Sequence, residues 1–208
     1  MTRYIMVIDL NTCVGCNACM AACAIENQTP VWAGKFRTYV HDKEIGTGEF
    51  PHRRFFPRLC NHCANPPCMK VCPTGATYKK PNGIVMVDEK LCMGCRACMM
   101  ACPYEARIEY TYHDVAEGRE FYGQEYRRQA PSIDKCTFCD HRVEKGLKPA
   151  CVETCVGSAR MFGDLDDATD PVAQLVTSGV ARPLLEHLGT DPSVFYIDDL
   201  KRGQSWTS

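Results

Sequence analysis

The chain has 208 residues, enough for one large domain or two small ones with a real core, and its 24 basic and 25 acidic side chains leave a formal charge of −1. That balance excludes the basic excess or stripe that a nucleic-acid partner selects, and no run approaches the roughly eighteen apolar residues of a membrane span. The outlier is cysteine: sixteen residues, one in thirteen, near the density of a disulfide scaffold in a short secreted chain.

Disulfides need an oxidising compartment and usually a secretory leader. The opening "MTRYIMVIDL" has no basic segment followed by an apolar stretch and a small-residue cleavage site. Arg53-Arg54 is internal and runs into "FFPRLC", so it is not a twin-arginine signal. A metal framework is therefore expected in place of a disulfide one.

In chain order, a strand ending "VID" leads into the first run, Cys13, Cys16, Cys19 and Cys23, spaced C-x2-C-x2-C-x3-C. Residues 24–59 then form a long connection. The second run, Cys60, Cys63, Cys68 and Cys72, is spaced C-x2-C-x4-C-x3-C. Between it and the third run lie two short β-like pieces, Ala76–Tyr78 and Ile84–Val87, around the turn "KKPNG". The third run, Cys92, Cys95, Cys98 and Cys102, repeats the first spacing, agrees with it at eight of eleven positions, and follows "MVD". A second long connection, residues 103–135, precedes Cys136, Cys139, Cys151 and Cys155, spaced C-x2-C-x11-C-x3-C. Connections of this length without strong periodicity are read as docking segments. In the cysteine-free tail, Asp170-Pro171 reads as a helix cap and first residue, with Val172, Leu175 and Val176 as its apolar stripe. A second short helix is expected from Pro183 to Leu188, ended by Gly189, and "SVFYID" reads as a strand. The tail is expected to cover the cluster core, grip a partner, or both.

Structural zinc takes cysteines as two separated knuckles, and a third cysteine two residues further on does not suit that tetrahedron. It does suit a cubane. C-x2-C-x2-C-x3-C-P is the bacterial ferredoxin signature, whose fourth cysteine binds the other cluster of a pair, and Cys72-Pro73 and Cys102-Pro103 keep the trailing proline. Four complete runs predict four [4Fe–4S] clusters. The hairpin between the second and third runs pairs those two, leaving the first and fourth to pair across the chain. Crossing the fourth cysteines gives the expected sets: Cys13, Cys16, Cys19 and Cys155; Cys136, Cys139, Cys151 and Cys23; Cys60, Cys63, Cys68 and Cys102; Cys92, Cys95, Cys98 and Cys72. The fold expected is α+β, two nested bacterial-ferredoxin-like modules with long connecting loops and a cysteine-free C-terminal extension. Residues 1–55 with 130–167 form the outer module and 56–112 the inserted inner one; 113–129 connect them and 168–208 extend the chain.

Other residues read more plainly. His62 and His141 flank cysteine runs, but four cysteines per cluster leave them no ligand role. Lys70, Arg96, Arg107 and Lys135 could offset cluster charge, though each reads more simply as a solvated surface group. Gly15 and Gly94, at the same place in their runs, let the loop backbone approach sulfur. No nucleophile, acid–base pair or substrate pocket is apparent.

"CNHCANPPCMKVCPTGA", "CRACMMACPYEAR" and "KCTFCDHRVEKGLKPACVETC" together resemble the four-cluster electron-transfer subunits of molybdopterin oxidoreductases. "YIMVIDLNTCVGCNACMAACAIEN" and "FGDLDD" are most similar to the polysulfide, thiosulfate, tetrathionate and arsenate reductase branch. The resemblance covers Arg3 to about Asp167 and is specific for subunit type, not substrate. Relatives commonly place proline after the last cysteine, where this chain has Val156; Cys23 is followed by Ala24. A backbone N–H is thus available near each outer cluster, where donors to sulfur raise potential.

The resemblance implies a non-catalytic wire. The cluster of Cys13, Cys16, Cys19 and Cys155 would lie nearest a molybdenum or tungsten catalytic subunit, the two inner clusters next, and the cluster of Cys23, Cys136, Cys139 and Cys151 toward a quinone-binding membrane anchor or another electron carrier. It also implies a peripheral place on the periplasmic face of the cytoplasmic membrane, by export with the catalytic partner, with the cytoplasm as the alternative. A free-standing soluble polyferredoxin and a zinc-rich structural module are the competing readings.

Overall fold

The computed structural model describes residues 2–45 and 52–198. The first strand, β1 (Tyr4–Asp9), is apolar at every interior position, and Ile5, Met6, Val7 and Ile8 are fully buried. A strand covered on both faces carries a continuous apolar run rather than an alternating one. Helix α1 (Ala18–Asn27) carries the end of the first cysteine run. The hairpin of β2 (Thr38–Ile45) and β3 (His52–Leu59) follows, paired antiparallel from Thr38↔Leu59. The single-turn helix α2 (Pro67–Lys70) leads to β4 (Thr77–Lys79) and β5 (Val85–Val87). These two strands are joined by a turn in which Gly83 N donates to Lys80 O at 3.0 Å.

After the short α3 (Ala97–Met100), strands β6 (Ile108–Tyr110) and β7 (Ser132–Asp134) pair antiparallel and bracket α4 (Tyr112–Tyr122). The fourth cysteine run spans the single-turn helices α5 (Asp140–Val143) and α6 (Ala150–Glu153). Strand β8 (Arg160–Asp164), helix α7 (Pro171–Thr177), the two-residue β9 (Arg182–Pro183) and β10 (Val194–Ile197) complete the described chain.

The largest sheet has the order β8-β1-β10-β9, with β1 antiparallel to β8 and parallel to β10. Its faces have different duties. Met6, Ile8, Val194 and Tyr196 pack into the main core, which also holds Cys19, Cys60, Cys136 and Cys151. Ile5, Val7 and Phe195 pack instead on Val172 and Ala181. Each such side chain contributes about 1.5–3 kcal/mol by leaving water. The sheet is therefore a wall between the cysteines and α7, and the cysteine-free tail supplies both a strand of that wall and its outer cover.

The tail helix begins where the sequence places it, with the Asp170 carboxylate accepting from Val172 N at 2.7 Å and Pro171 in the first turn. The expected second helix does not form. Pro183 lies in β9, Leu185 takes a left-handed conformation (φ 49°), and only a 3-10 turn, Glu186–Leu188, precedes Gly189. A left-handed residue cannot continue a right-handed helix.

Both long connections carry regular structure that periodicity did not show. Residues 24–59 contain the β2–β3 hairpin. Residues 103–135 contain α4, started by a capping box in which Thr111 Oγ1 accepts from Asp114 N and the Asp114 carboxylate accepts from Thr111 N. The two connections hold each other: Lys35 Nζ pairs with Asp114 at 2.6 Å, and Trp32 packs on Phe121, Tyr122 and Tyr126 with ring centroids 5.4, 5.9 and 6.4 Å away.

Asp170 has a second duty, accepting from Asp164 N at 2.8 Å, and Gly163 leaves the room for it: a Cβ there would lie 2.5 Å from the Asp170 carboxylate. Gly163→Ala is expected to displace the cap and destabilise the chain by about 1–3 kcal/mol, and Asp170→Ala by about 1 kcal/mol. Chemical unfolding followed anaerobically checks both values.

Candidate metal centres

The first and third cysteine runs share a loop conformation as well as a spacing. Gly15 and Gly94 have φ of 67° and 68°, and Asn17 and Arg96 have φ of 59° and 62°. The Gly15 backbone approaches the Cys13 sulfur as expected, and both glycines meet a steric demand as well. They adopt left-handed backbone, and a Cβ would lie 2.3 Å from the Phe55 ring at Gly15 and 2.7 Å from Pro131 Cβ at Gly94.

All sixteen cysteines are free thiols. Cys13, Cys16, Cys19 and Cys155 line one cavity, together with Arg160. Cys60, Cys63, Cys68 and Cys102 line another, together with Arg107. Cys23 leaves its own run: Asn27 Nδ2 lies 3.6 Å from Cys23 Sγ and 3.8 Å from Cys139 Sγ, and Cys23 interacts electrostatically with Cys139, Cys151 and Cys136. Cys98 lies with Cys92 and also against Cys68. Cys72 accepts from Thr77 N at 3.4 Å, and the described contacts do not join it or Cys95 to Cys92 and Cys98. The helices follow the same crossing, α1 packing on α6 and α2 on α3.

Burial corrects one expectation. Cys23, Cys136, Cys139 and Cys151 are each less than a tenth exposed, so the sulfurs of this group lie inside the chain and not at its surface. It touches the first group through Cys151 and Cys19 and approaches the second across Lys135, which interacts with both Cys136 and Cys60. The exposed cysteines are Cys16, in the first group, and Cys95, in the third run. Sulfur thus reaches the surface in the Cys13 group and at Cys95.

A second correction concerns the cations. Lys70 and Arg96 are exposed as expected, but Arg107 and Lys135 are buried, with Lys135 only 1% exposed. Lys135 Nζ donates to Val85 O and, at 2.8 Å, to Cys136 O. Two further buried arginines escaped the sequence reading. Arg160 Nη1 lies 3.7 Å from Cys151 Sγ, and its Nη2 donates to Thr38 Oγ1 at 2.8 Å. Arg37 makes a two-point pair with Asp134 at 2.7 and 2.8 Å and donates to Asn27 Oδ1 at 2.6 Å, aiming that amide at Cys23 and Cys139. A signal for Arg107 and Arg160 was present: both stand five residues after a fourth cysteine, in Cys102-PYEA-Arg107 and Cys155-VGSA-Arg160.

His62 and His141 are engaged elsewhere in the fold. His62 Nδ1 accepts from Val85 N at 3.1 Å and its ring stacks on Phe138, while His141 pairs with Glu26 at 2.6 Å.

Burial pushes the Cys23 and Cys63 thiols up to about 12, and Cys136 and Cys151 are raised for the same reason. Thiolates in such places need positive charge from a bound metal or a buried cation. The donor set fits that need: thiols in groups, amide N–H groups at Cys72 and at Cys136 (Phe138 N, 3.4 Å), and guanidinium groups at the sulfurs.

Comparison with known proteins identifies the metal. Two family models, both described as 4Fe-4S dicluster domains, match residues 52–165 and 12–76. The chain belongs to this family. Its relatives include a tetrathionate reductase subunit of Salmonella typhimurium, 44% identical across 94% of this chain and 72% of the relative. A selenate reductase subunit of Mesobacillus selenatarsenatis is 43% identical with the same coverage of both chains. The arsenate respiratory reductase iron-sulfur subunit of Shewanella sp. is 38% identical across 94% of this chain and 96% of its own. The chain is accordingly a [4Fe–4S] electron-transport protein of the oxidoreductase-subunit type, α+β in content, with two dicluster domains. No helix among the described residues is long and apolar enough to cross a membrane.

Removing one partner of a buried ion pair strands the other charge. Arg37→Met is therefore expected to destabilise the protein by about 3–5 kcal/mol and to loosen Asn27. The double variant Arg37→Met with Asp134→Leu should recover part of that loss, as read by thermal unfolding with the iron content monitored.

Proposed function

We propose that the chain relays electrons through four [4Fe–4S] clusters, as a subunit without a substrate site of its own, between an external electron donor and a molybdopterin-containing catalytic subunit. The single observation that carries this reading is the grouping of the cysteines across runs. Cys155 joins the Cys13 run at one cavity, Cys102 joins the Cys60 run at another, and Cys23 lies against Cys139. The ligand sets that follow are Cys13, Cys16, Cys19 and Cys155; Cys136, Cys139, Cys151 and Cys23; Cys60, Cys63, Cys68 and Cys102; and Cys92, Cys95, Cys98 and Cys72. In this reading one ferredoxin-like module is nested inside the other, with residues 56–112 inserted between the two halves of the outer one.

The clusters supply one-electron exchange; the protein supplies ligands, spacing and exclusion of water. The sulfur neighbours support the order just given, with the Cys136 set second and the Cys92 set last. Each end has an apolar rim. Val14 and Val156, 60% and 77% exposed, flank the Cys13 set, while Leu91, Met93 and Met100 flank the Cys92 set, with Met100 at 88%. Apolar side chains left out at both ends of a buried array suit two docking partners.

By resemblance the Cys13 end meets the catalytic molybdenum or tungsten subunit. The Cys92 end then meets a quinone-binding membrane anchor or another carrier. The relatives' names favour a sulfur- or arsenic-oxyanion acceptor on the catalytic chain and a periplasmic setting reached together with that chain. A free-standing polyferredoxin would not need two apolar rims.

Isolation of the native complex tests the reading. A stoichiometric large partner and about sixteen irons per copy of this chain, with matching sulfide, are expected; a lone monomer with full iron would favour the free carrier, and four zincs would exclude clusters. The crossing has its own test: Cys23→Ser should perturb the EPR signal that Cys136→Ser perturbs, and not the one perturbed by Cys13→Ser.

A further inference from the structure

Three buried cations occupy the three junctions between successive cysteine sets. Arg160, 3% exposed, lines the cavity of Cys13, Cys16, Cys19 and Cys155 and also reaches Cys151 Sγ of the next set at 3.7 Å. Lys135 sits between Cys136 of that second set and Cys60 of the third. Arg107, 5% exposed, lines the cavity of Cys60, Cys63, Cys68 and Cys102 and interacts electrostatically with Cys98 of the last set as well as with Cys68 and Cys60.

Their other hydrogen-bond partners are neutral. Arg160 otherwise meets Thr38 Oγ1 and Met6 Sδ. Arg107 Nη1 reaches Thr77 Oγ1 at 3.4 Å, and its Nη2 is buried with no partner in the protein. Lys135 Nζ meets two carbonyl oxygens. No described ion pair gives any of the three a carboxylate, whereas Arg37 takes Asp134 at two points. A buried cation without a counter-charge costs several kcal/mol, so these side chains are stable only if something anionic lies beside them. Among the described residues the cysteine sets lie on both sides of each cation, and Asp134 adds its own attraction at Lys135 alone.

We propose that Arg160, Lys135 and Arg107 are inter-cluster charge compensators, each shared by two successive clusters and each raising the reduction potentials of both. Sharing matters because an electron arriving on one cluster repels the next. A cation at the junction offsets that repulsion for either neighbour. Two of the three cations are arginines, which stay charged at any working pH. The inference rests on the ligand sets proposed above.

The test is an EPR-monitored redox titration of the whole complex carrying Arg160→Met, Lys135→Met or Arg107→Met, with iron counted in each sample. Arg160→Met is expected to lower the reduction equilibrium about tenfold, about 59 mV for one electron, at the clusters of the Cys13 and Cys136 sets, and to leave the Cys92 set where it was. Arg107→Met should do the same at the Cys60 and Cys92 sets and spare the Cys13 set. Arg160→Lys, Arg107→Lys and Lys135→Arg keep the charge and should keep the potentials. A shift confined to one cluster, a shift spread evenly over all four, or no shift at full iron content would overturn the proposal. Loss of iron in the methionine variants alone is its extreme form, whereas loss in the charge-conserving variants too means that packing, and not charge, is what matters. Failure of the ligand sets themselves would appear separately, in the cysteine-to-serine EPR pattern.

Discussion

The fold depends on one local constraint. A cysteine one helical turn beyond its neighbour projects from a different level of the helix, and the loop that wraps the first three sulfurs cannot bring the fourth back to them. The fourth must find another partner loop. Cys23 on α1 lies against Cys139, and Cys155 enters the cavity of Cys13, Cys16 and Cys19. Segments more than a hundred residues apart are thereby fastened, and α1 packs on α6 as α2 packs on α3. The central sheet follows the same logic: β8 leaves the fourth run and pairs with β1, which enters the first. Chain topology and ligand crossing are two views of one arrangement.

The second constraint is charge. The four-sulfur sets are small anionic objects inside a chain whose net charge is nearly zero, so compensation cannot come from bulk composition and must be local. The protein uses two devices. Neutral donors such as Thr77 N, Phe138 N and Asn27 Nδ2 point at individual sulfurs. Full charges lie deeper, and Arg37 is distinguished from the other buried cations by its carboxylate: paired with Asp134, it orients Asn27 and still favours the Cys23 thiolate.

The hairpin around Pro81–Gly83, the Asp170 cap and the two cysteine groups that line cavities were legible because each rests on a local rule: turn chemistry, a side chain bonding the backbone two residues on, ligand spacing. Helix α4 was not legible. Its sequence "YHDVAEGREFY" has no sustained apolar stripe; the Thr111–Asp114 capping box is a local signal, but the support from Lys35 and Trp32 comes from partners that only folding brings near. The buried cations were hidden for a related reason. Arg107 and Lys70 look alike in sequence, and burial is decided by neighbours such as Thr77, Cys68 and Cys98, which come from other segments. The resemblance puts the Cys136 set at the far end of the array, whereas the burial of its four cysteines suits a place inside it. A ferredoxin-like pair must instead stay together, since its two runs exchange ligands, and so the Cys136 set is buried beside the Cys13 set.

That adjacency decides where the chain can meet other redox centres. If the two outer sets lay at opposite ends, Cys23 would have to span the inner module, whereas α1 holds it one turn from Cys19. Only the Cys13 and Cys92 sets then remain near the surface, each through one exposed cysteine in a loop built on a left-handed glycine, Gly15 or Gly94. The duplicated run "C-x-G-C-x-A-C" is used twice for one purpose: its tight turn lets a sulfur reach the protein's edge while the helix that follows carries the next cysteine inward. The two interior sets lack this turn. Their loops bend instead at His62 and at Phe138-Cys139 (φ 43°, 52° and 51°), and His62 stacks on Phe138 with ring centroids 3.8 Å apart. Aromatic side chains stand at the buried bends, and glycines stand at the bends whose next cysteine is exposed.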